Sequence, residues 1–423
     1  MAVPHVTWRP AERPPWVDAV NRGEIVPIAE EAADPLDRDV LLDEARVRMG
    51  LDPGGLPDFG GADFLEPLDL FLDALAAEAN LNLIGRWMTR RFLMRLLIGR
   101  VQLTSFTASH PGVLAEQIVE PLVVTGPPRS GTTILHALLA PDPGHRAPVG
   151  WELLYPVPPP RGATAGPDPR VALADHELRL LAHVSADLDA IHEYSGQMTK
   201  ECISAMSFAF RSEEFTSRTR VPTFAAWLAA CDMRPAYDSH RLVLQMLQHA
   251  AAPRRWTLKS PVHLHSVGTL LAVYPDARIV ITHRDPLTII GSVTSLIATL
   301  RWAHSDTVDF AEIARAHARM YHADLDGLAA AWAHGDLDPA RVHHVRYADF
   351  MASPIETVRG VYDAAGWKLT ADAEARMVEY LRRRPQGLHG AHVYSFDDLG
   401  LDRATERARF ARYQDVFGVP DEA

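Results

Sequence analysis

Hydrophobic and polar positions change their rhythm along the chain. From Leu36 to His110 apolar residues recur at helical spacing, first in LDRDVLLDEARVRMG and then in the long Arg-studded stretch LIGRWMTRRFLMRLLIGRVQL, which predicts amphipathic helices with their arginines in solvent. Such an Arg face also suits a membrane surface or an acidic partner. At 121–126 the run PLVVTG ends in Gly and Pro, and a helical pattern starts at Ser130. The same strand, loop, helix unit recurs in RRWTLKSP with VHLHSVGTLLAVY, in ARIVITHRDP with LTIIGSVTSLIATL, and in RVHHVRY with the segment after Pro354. This alternation predicts an α/β fold with a mainly parallel sheet flanked by helices. Helical segments between Val171 and Ala252 interrupt it and form an expected insertion, a lid or a wall for an acceptor. The expected organisation is an extended arm over 1–33, a helical lead-in over 34–120, and an α/β domain over 121–423 carrying the insertion at about 171–252. YPVPPPRG at 155–162 is a stiff connector, and no internal repeat is present.

Composition narrows the function. Apolar residues make up 47% of the 423 positions and charged residues 23%, enough for a sizeable core. A net charge of −12 disfavours nucleic acid as a partner, so a polyanionic ligand needs a local basic pocket. Cys202 and Cys231 have neither the number nor the spacing of a disulfide framework or a zinc site, and the N-terminal segment lacks a secretory pattern, so a soluble cytoplasmic protein without transmembrane segments is expected. The histidines form no metal set: His263 and His265 lie two apart on a helical segment, and His343 and His344 alternate across a strand. Lysine occurs only at 200, 259 and 368, which singles out Lys259.

The segment Gly126-Pro127-Pro128-Arg129-Ser130-Gly131-Thr132-Thr133 follows the nucleotide-binding pattern GxxxxGKS/T except that Thr132 stands at the lysine position. Between a strand and a helix, such a loop can aim backbone N–H groups and the helix dipole at an anion, with Arg129, Ser130, Thr132 and Thr133 as side-chain donors. The alternative is a tight turn with capping residues. Downstream, Arg284 leaves a strand and Ser292 sits about two turns into the next helix, a forked donor and a hydroxyl for a second anion. A surface pair of Arg284 with Asp285 is the competing reading. Lys259 ends the strand RRWTL and belongs at the same sheet edge. Glu152, in APVGWELLYP, follows a turn that returns the chain toward the loop, and Trp151 with Leu153 would surround its carboxylate with apolar groups. The cluster Glu193, Glu201, Glu213 and Glu214 has the pattern of a solvated helical face.

VTGPPRSGTT, WTLKSPVHL, YPDARIVITHRDP, VRYADFMASP and HVYSFDDLGL, taken in order, resemble the sulfotransferases that use 3′-phosphoadenosine 5′-phosphosulfate, in particular the bacterial and tyrosylprotein branches with a PRSGTT loop. The resemblance runs from about Leu122 to Phe417. It implies a 5′-phosphosulfate loop at Pro128, Arg129, Ser130, Gly131, Thr132 and Thr133, a 3′-phosphate grip by Arg284 and Ser292, and Tyr347 beside the adenine. It further implies catalytic roles for Arg129, Lys259 and Glu152, with Glu152 as general base, and His263 as the rival base because cytosolic members use a histidine. Gly390, His392 and Tyr394 resemble a late donor-contacting loop. Tyrosylprotein members carry another arginine where this chain has Leu296. The implied reaction is sulfuryl transfer to the hydroxyl of a small molecule, glycan, lipid or peptide, with no metal required; a homo-oligomer is compatible with it. A P-loop kinase or an inactive nucleotide-binding protein are the alternatives.

Overall fold

The computed structural model describes residues 8–52, 57–160, 167–185, 188, 195–249, 251–252, 254–384 and 396–422. Five strands form one sheet: β1 (Leu122–Thr125), β2 (His145–Arg146), β3 (Arg255–Lys259), β4 (Arg278–His283) and β5 (Val342–Arg346), in the order β2-β3-β1-β4-β5. Every neighbouring pair is parallel, as crossovers through helices require. β3, β1, β4 and β5 are the expected strands, whereas β2 is too short to show a periodic signal.

Alternating residues supply the two faces. Val123, Ile279 and Ile281 join the larger core, while Leu122, Val124 and Val280 join a second core with Leu135, Phe350 and Met377. The larger core also takes in Leu93 of the lead-in, Phe208 and Leu244 of the insertion and Tyr413 of the last helix. Phe215 in the insertion packs edge-on against Phe71 and Phe92 of the lead-in, with centroids 4.8 and 5.2 Å apart. Helices at Arg170–Val184, Ile203–Met206, Glu213–Arg218, Pro222–Ala230 and Arg234–Gln248 build the insertion.

Two expectations are corrected. Residues 15–33, read as part of an extended arm, hold the helices Pro15–Asn21 and Val26–Ala33, each opened by a proline in its first turn, where the missing N–H costs nothing. The arginines of the long helix Leu83–Ser109 are not all in solvent: Arg90, Arg95 and Arg100 are buried. Arg90 pairs with Glu44, Arg95 Nε with Glu177 at 2.7 Å, and Arg100 donates to the carbonyls of Phe59 and Phe208 at 3.0 and 2.8 Å. The many donors of guanidinium let one helix bury cations as cross-links between segments.

That helix meets the α/β body closely at Gly85, where an added Cβ would collide with the backbone carbonyl of His304. Backbone cannot swing aside as a side chain can, so Gly85→Ala is expected to destabilise the protein by about 1–3 kcal/mol in denaturant unfolding; an unchanged midpoint would contradict this contact.

Buried histidines set the acid limit. His136, His240 and His263 are fully buried, and burial pushes each imidazole down to about 3. Unfolding releases them to ordinary values near 6.5, so their neutral native forms cost nothing above that pH, and stability falls as pH drops from about 6.5 toward 3. Each is expected to remove about 2 kcal/mol by pH 5. Denaturant unfolding between pH 7 and 4 measures the slope, and a flat profile would overturn the assignment.

Candidate active site

The carboxyl ends of β1, β3, β4 and β5 deliver the sequence-selected groups to one edge of the sheet, where open α/β folds bind ligands. β1 runs into the loop at Gly126, whose φ of +135° and tight packing on Thr282 leave no room for a Cβ. Arg129 and Gly131 follow with φ of +69° and +92°. An added Cβ at Gly131 would lie 3.0 Å from the ring of Tyr347, so this glycine lets the tyrosine close over the loop. The helix Thr132–Leu139 begins without a side-chain cap, and its first-turn N–H groups point to the same edge.

Not every loop hydroxyl faces outward. Ser130 is buried; its hydroxyl donates to the Pro127 carbonyl at 2.6 Å and bonds with the hydroxyl of Thr282. It therefore ties the loop to β4, although its side chain was expected to add a donor. Thr132 is buried, while Thr133 is exposed and reaches the next strand.

Lys259 closes β3 opposite Val124 in register, one strand away from the loop. Its buried ammonium donates to Thr133 Oγ1 at 3.1 Å and to the carboxylate of Glu201. Glu201 is held by backbone pairing: Cys202 N–H donates to the Lys259 carbonyl at 2.9 Å, and Lys200 N–H to the Pro148 carbonyl at 2.9 Å. Val149 and Thr199 bridge antiparallel, so the segment carrying Glu201 runs beside the one carrying Glu152. Glu201 was read as part of a solvated face, and its real setting arises from pairings remote in sequence. The only sequence signal was its place one residue from Lys200, itself one of three lysines. Among its cluster mates, Glu213 and Glu214 are also committed inward. Burial would raise the Glu214 carboxyl, yet Arg218, Lys200 and Arg95 hold it at about 2. Glu213 and Asp324 grip His265 at 3.0 and 2.8 Å; burial disfavours its charge, but the two carboxylates raise the imidazole well above its usual range.

Glu152 sits otherwise than expected. Its Oε1 accepts from Arg146 at 2.7 Å and its Oε2 from Val149 N–H at 3.1 Å. Arg146 lies 4.6 Å over the Trp256 ring and donates to the Leu247 carbonyl, so the carboxylate caps a helix and braces β2. The apolar side chains of Trp151 and Leu153 do not isolate it. His263 is bonded to the Tyr237 hydroxyl at 2.9 Å inside the core.

Arg284 leaves β4 and binds the loop itself, donating to the Arg129 carbonyl at 2.9 Å while its guanidinium lies 4.1 Å from the Tyr347 ring. The neighbouring Asp285 turns to Arg407, at 2.6 and 3.0 Å, so Arg284 and Asp285 form no surface pair. Ser292 is buried in the second turn of the helix Pro286–Trp302. Lys259 thus joins Thr133 to Glu201, Arg284 joins Arg129 to Tyr347, and the loop through Gly131 connects the two groups. Gly390, His392, Tyr394 and Glu193 lie outside the described residues. Among the described residues no group of three or more His, Cys, Asp or Glu side chains could hold a metal ion, and no helix is long and apolar enough to cross a membrane.

Known proteins resemble this chain in sequence and in fold. A family profile described as "Sulfotransferase family" matches residues 121–371. The structure superposes on sulfotransferase STF9 from Mycobacterium avium with a TM-score of 0.81 and 29% identity, covering 92% of this chain and 99% of that one. For sulfotransferase STF1 from Mycobacterium tuberculosis H37Rv the TM-score is 0.76 and the identity 31%, covering 89% and 98%. The omega-hydroxy-beta-dihydromenaquinone-9 sulfotransferase Stf3 of Mycobacterium bovis is 25% identical over 265 residues, 60% of this chain and 65% of that relative's length. With the profile spanning the sheet, the loop that follows β1, Lys259 and Arg284, and with STF1 alike over nearly the whole chain, this protein belongs to the sulfotransferase family.

Proposed function

We propose that the protein transfers a sulfuryl group from 3′-phosphoadenosine 5′-phosphosulfate to an acceptor hydroxyl. The observation that carries the reading is the ammonium of Lys259, which touches both Thr133 of the phosphate loop and the carboxylate of Glu201. The first-turn N–H groups, Arg129 and Thr132 receive the 5′-phosphosulfate with Pro128, Ser130 and Gly131 shaping the loop; Arg284 and Ser292 receive the 3′-phosphate, and Tyr347 flanks the adenine. The acceptor oxygen forms a bond to sulfur as the bond from sulfur to the bridging oxygen breaks. Glu201 takes the hydroxyl proton, in the role the sequence pointed to for Glu152. Lys259 and Arg129 stabilise charge on the leaving phosphate. Thr132 in place of a P-loop lysine supports this donor over a nucleoside triphosphate. For the acceptor we favour a lipid-like molecule bearing a hydroxyl, on the strength of the menaquinone derivative in the name of Stf3. A screen of lipid, phenol, glycan and peptide hydroxyls with labelled donor tests that choice.

Glutamine cannot accept the proton, so Glu201→Gln is expected to lower turnover by about 10²-fold or more without weakening binding of adenosine 3′,5′-bisphosphate. Glu152→Gln is expected to lower the melting temperature by breaking its pair with Arg146 while leaving most of the turnover per folded molecule. The reverse pattern would return the base to Glu152.

Arg284→Ala is expected to weaken adenosine 3′,5′-bisphosphate by about 10- to 100-fold, the range of a charged hydrogen-bond partner, and adenosine 5′-phosphate far less. Equal losses would place Arg284 elsewhere, and a magnesium-dependent preference for ATP would make the protein a kinase.

A further inference from the structure

Arg284 already holds an anion from its own chain. Its Nε lies 2.9 and 3.0 Å from the two carboxylate oxygens of Glu422, and its Nη2 lies 2.8 Å from Oε2. This is the forked geometry a phosphate would take. The last helix, Arg403–Phe417, ends at Gly418 with φ of +61°, and the chain turns back toward the end of β4. There Glu422 N–H donates to Asp285 Oδ2 at 2.7 Å. Asp421 pairs with Arg407 at 2.8 Å and accepts from Gln414 at 2.9 Å. These contacts seat the tail without using the Glu422 side chain, whose carboxylate is directed to Arg284.

We propose that Glu422 is an intramolecular stand-in for the 3′-phosphate: it occupies Arg284 in the empty protein, yields to the nucleotide, and returns to speed release of the bisphosphate product. The proposal rests on the reading that Arg284 receives the 3′-phosphate. Both partners are partly exposed, 19% for the Arg284 side chain and 33% for that of Glu422, so the pair can exchange in a way a sealed one could not. The backbone anchors keep the carboxylate at high effective concentration. A phosphate carries more charge than a carboxylate and is presented by a nucleotide already held at its 5′ end, so it displaces Glu422 at a cost in apparent affinity. A nucleotide lacking the 3′-phosphate has no need to break the pair.

Calorimetric titration of adenosine 3′,5′-bisphosphate and adenosine 5′-phosphate into the full chain, and into its Glu422→Gln, Arg284→Ala and doubly substituted forms, tests this. Glu422→Gln is expected to bind the bisphosphate about three- to tenfold tighter, to release it correspondingly more slowly in stopped flow, and to bind the monophosphate unchanged. In the Arg284→Ala background the same substitution is expected to do nothing. Glu422→Asp, which keeps the charge and the tail but shortens the reach, serves as a second variant and is expected to tighten binding in the same direction. Unchanged or weaker bisphosphate binding by both Glu422 variants, with Arg284→Ala weakening the bisphosphate far more than the monophosphate, would overturn the stand-in and leave the role of Arg284 intact. Equal losses of the two nucleotides in Arg284→Ala would overturn both.

Discussion

Positive charge gathered at the carboxyl edge of a parallel sheet has to be compensated, and most of this site follows from how that is done. An ammonium left unpaired in the interior costs several kcal/mol, and a chain with a net charge of −12 has carboxylates to spare. Lys259, almost fully buried, is met by Glu201; Arg284 is met by Glu422; Arg146, one strand further, is met by Glu152. The uncapped helix start beside Thr133 adds partial positive charge and has no carboxylate partner in its first turn. Internal carboxylates therefore meet the cations gathered at this edge.

Compensation also explains why the helical lead-in cannot be regarded as a separate cap. The glutamates that reach the site lie on segments outside the strand, loop, helix grammar, and those segments are fixed by the larger core. Phe215 packs on Phe71 and Phe92, so the helix bearing Glu213 and Glu214 is pinned by the lead-in. His265, just after β3, is clasped by Glu213 from the insertion and by Asp324 from the helix Phe310–His334, tying both to the strand that presents Lys259. The lead-in, the insertion and the strand that presents Lys259 are therefore parts of one packed body.

Legibility in the sequence tracked the range of the interactions. Strands β1, β3, β4 and β5 were readable because each combines a short apolar run with a turn signal, and their carboxyl-end residues Gly126, Lys259, Arg284 and Tyr347 followed directly. Glu152 drew notice through local context, but its partners Arg146 and Val149 N–H give it a bracing task that Trp151 and Leu153 could not reveal. Glu201 was passed over because nothing nearby marks it; its position depends on Cys202 N–H meeting the carbonyl of Lys259, a contact between distant segments. The buried arginines were misread for a similar reason, since helical spacing gives a direction and not what waits there. Glu44, Glu177 and the carbonyls of Phe59 and Phe208 are supplied by other elements.

Under the proposed function, the pairing of Lys259 with Glu201 bears on how a base and a charge stabiliser can share one site. While the ammonium donates to the carboxylate, one of its donors and a carboxylate oxygen are committed to each other. Lys259 also reaches Thr133, so anionic oxygens bound at the loop compete with Glu201 for the same three donors of the ammonium. Oxygens that drew the ammonium away would leave that carboxylate oxygen open to the acceptor hydroxyl of the proposed reaction. With the proposed roles, donor binding would thereby free the carboxylate, and an acceptor arriving first would meet one still held by its lysine. On this reading the chemistry favours nucleotide before acceptor, and the two substrates are coupled through a single part-buried ion pair without any large movement of the fold.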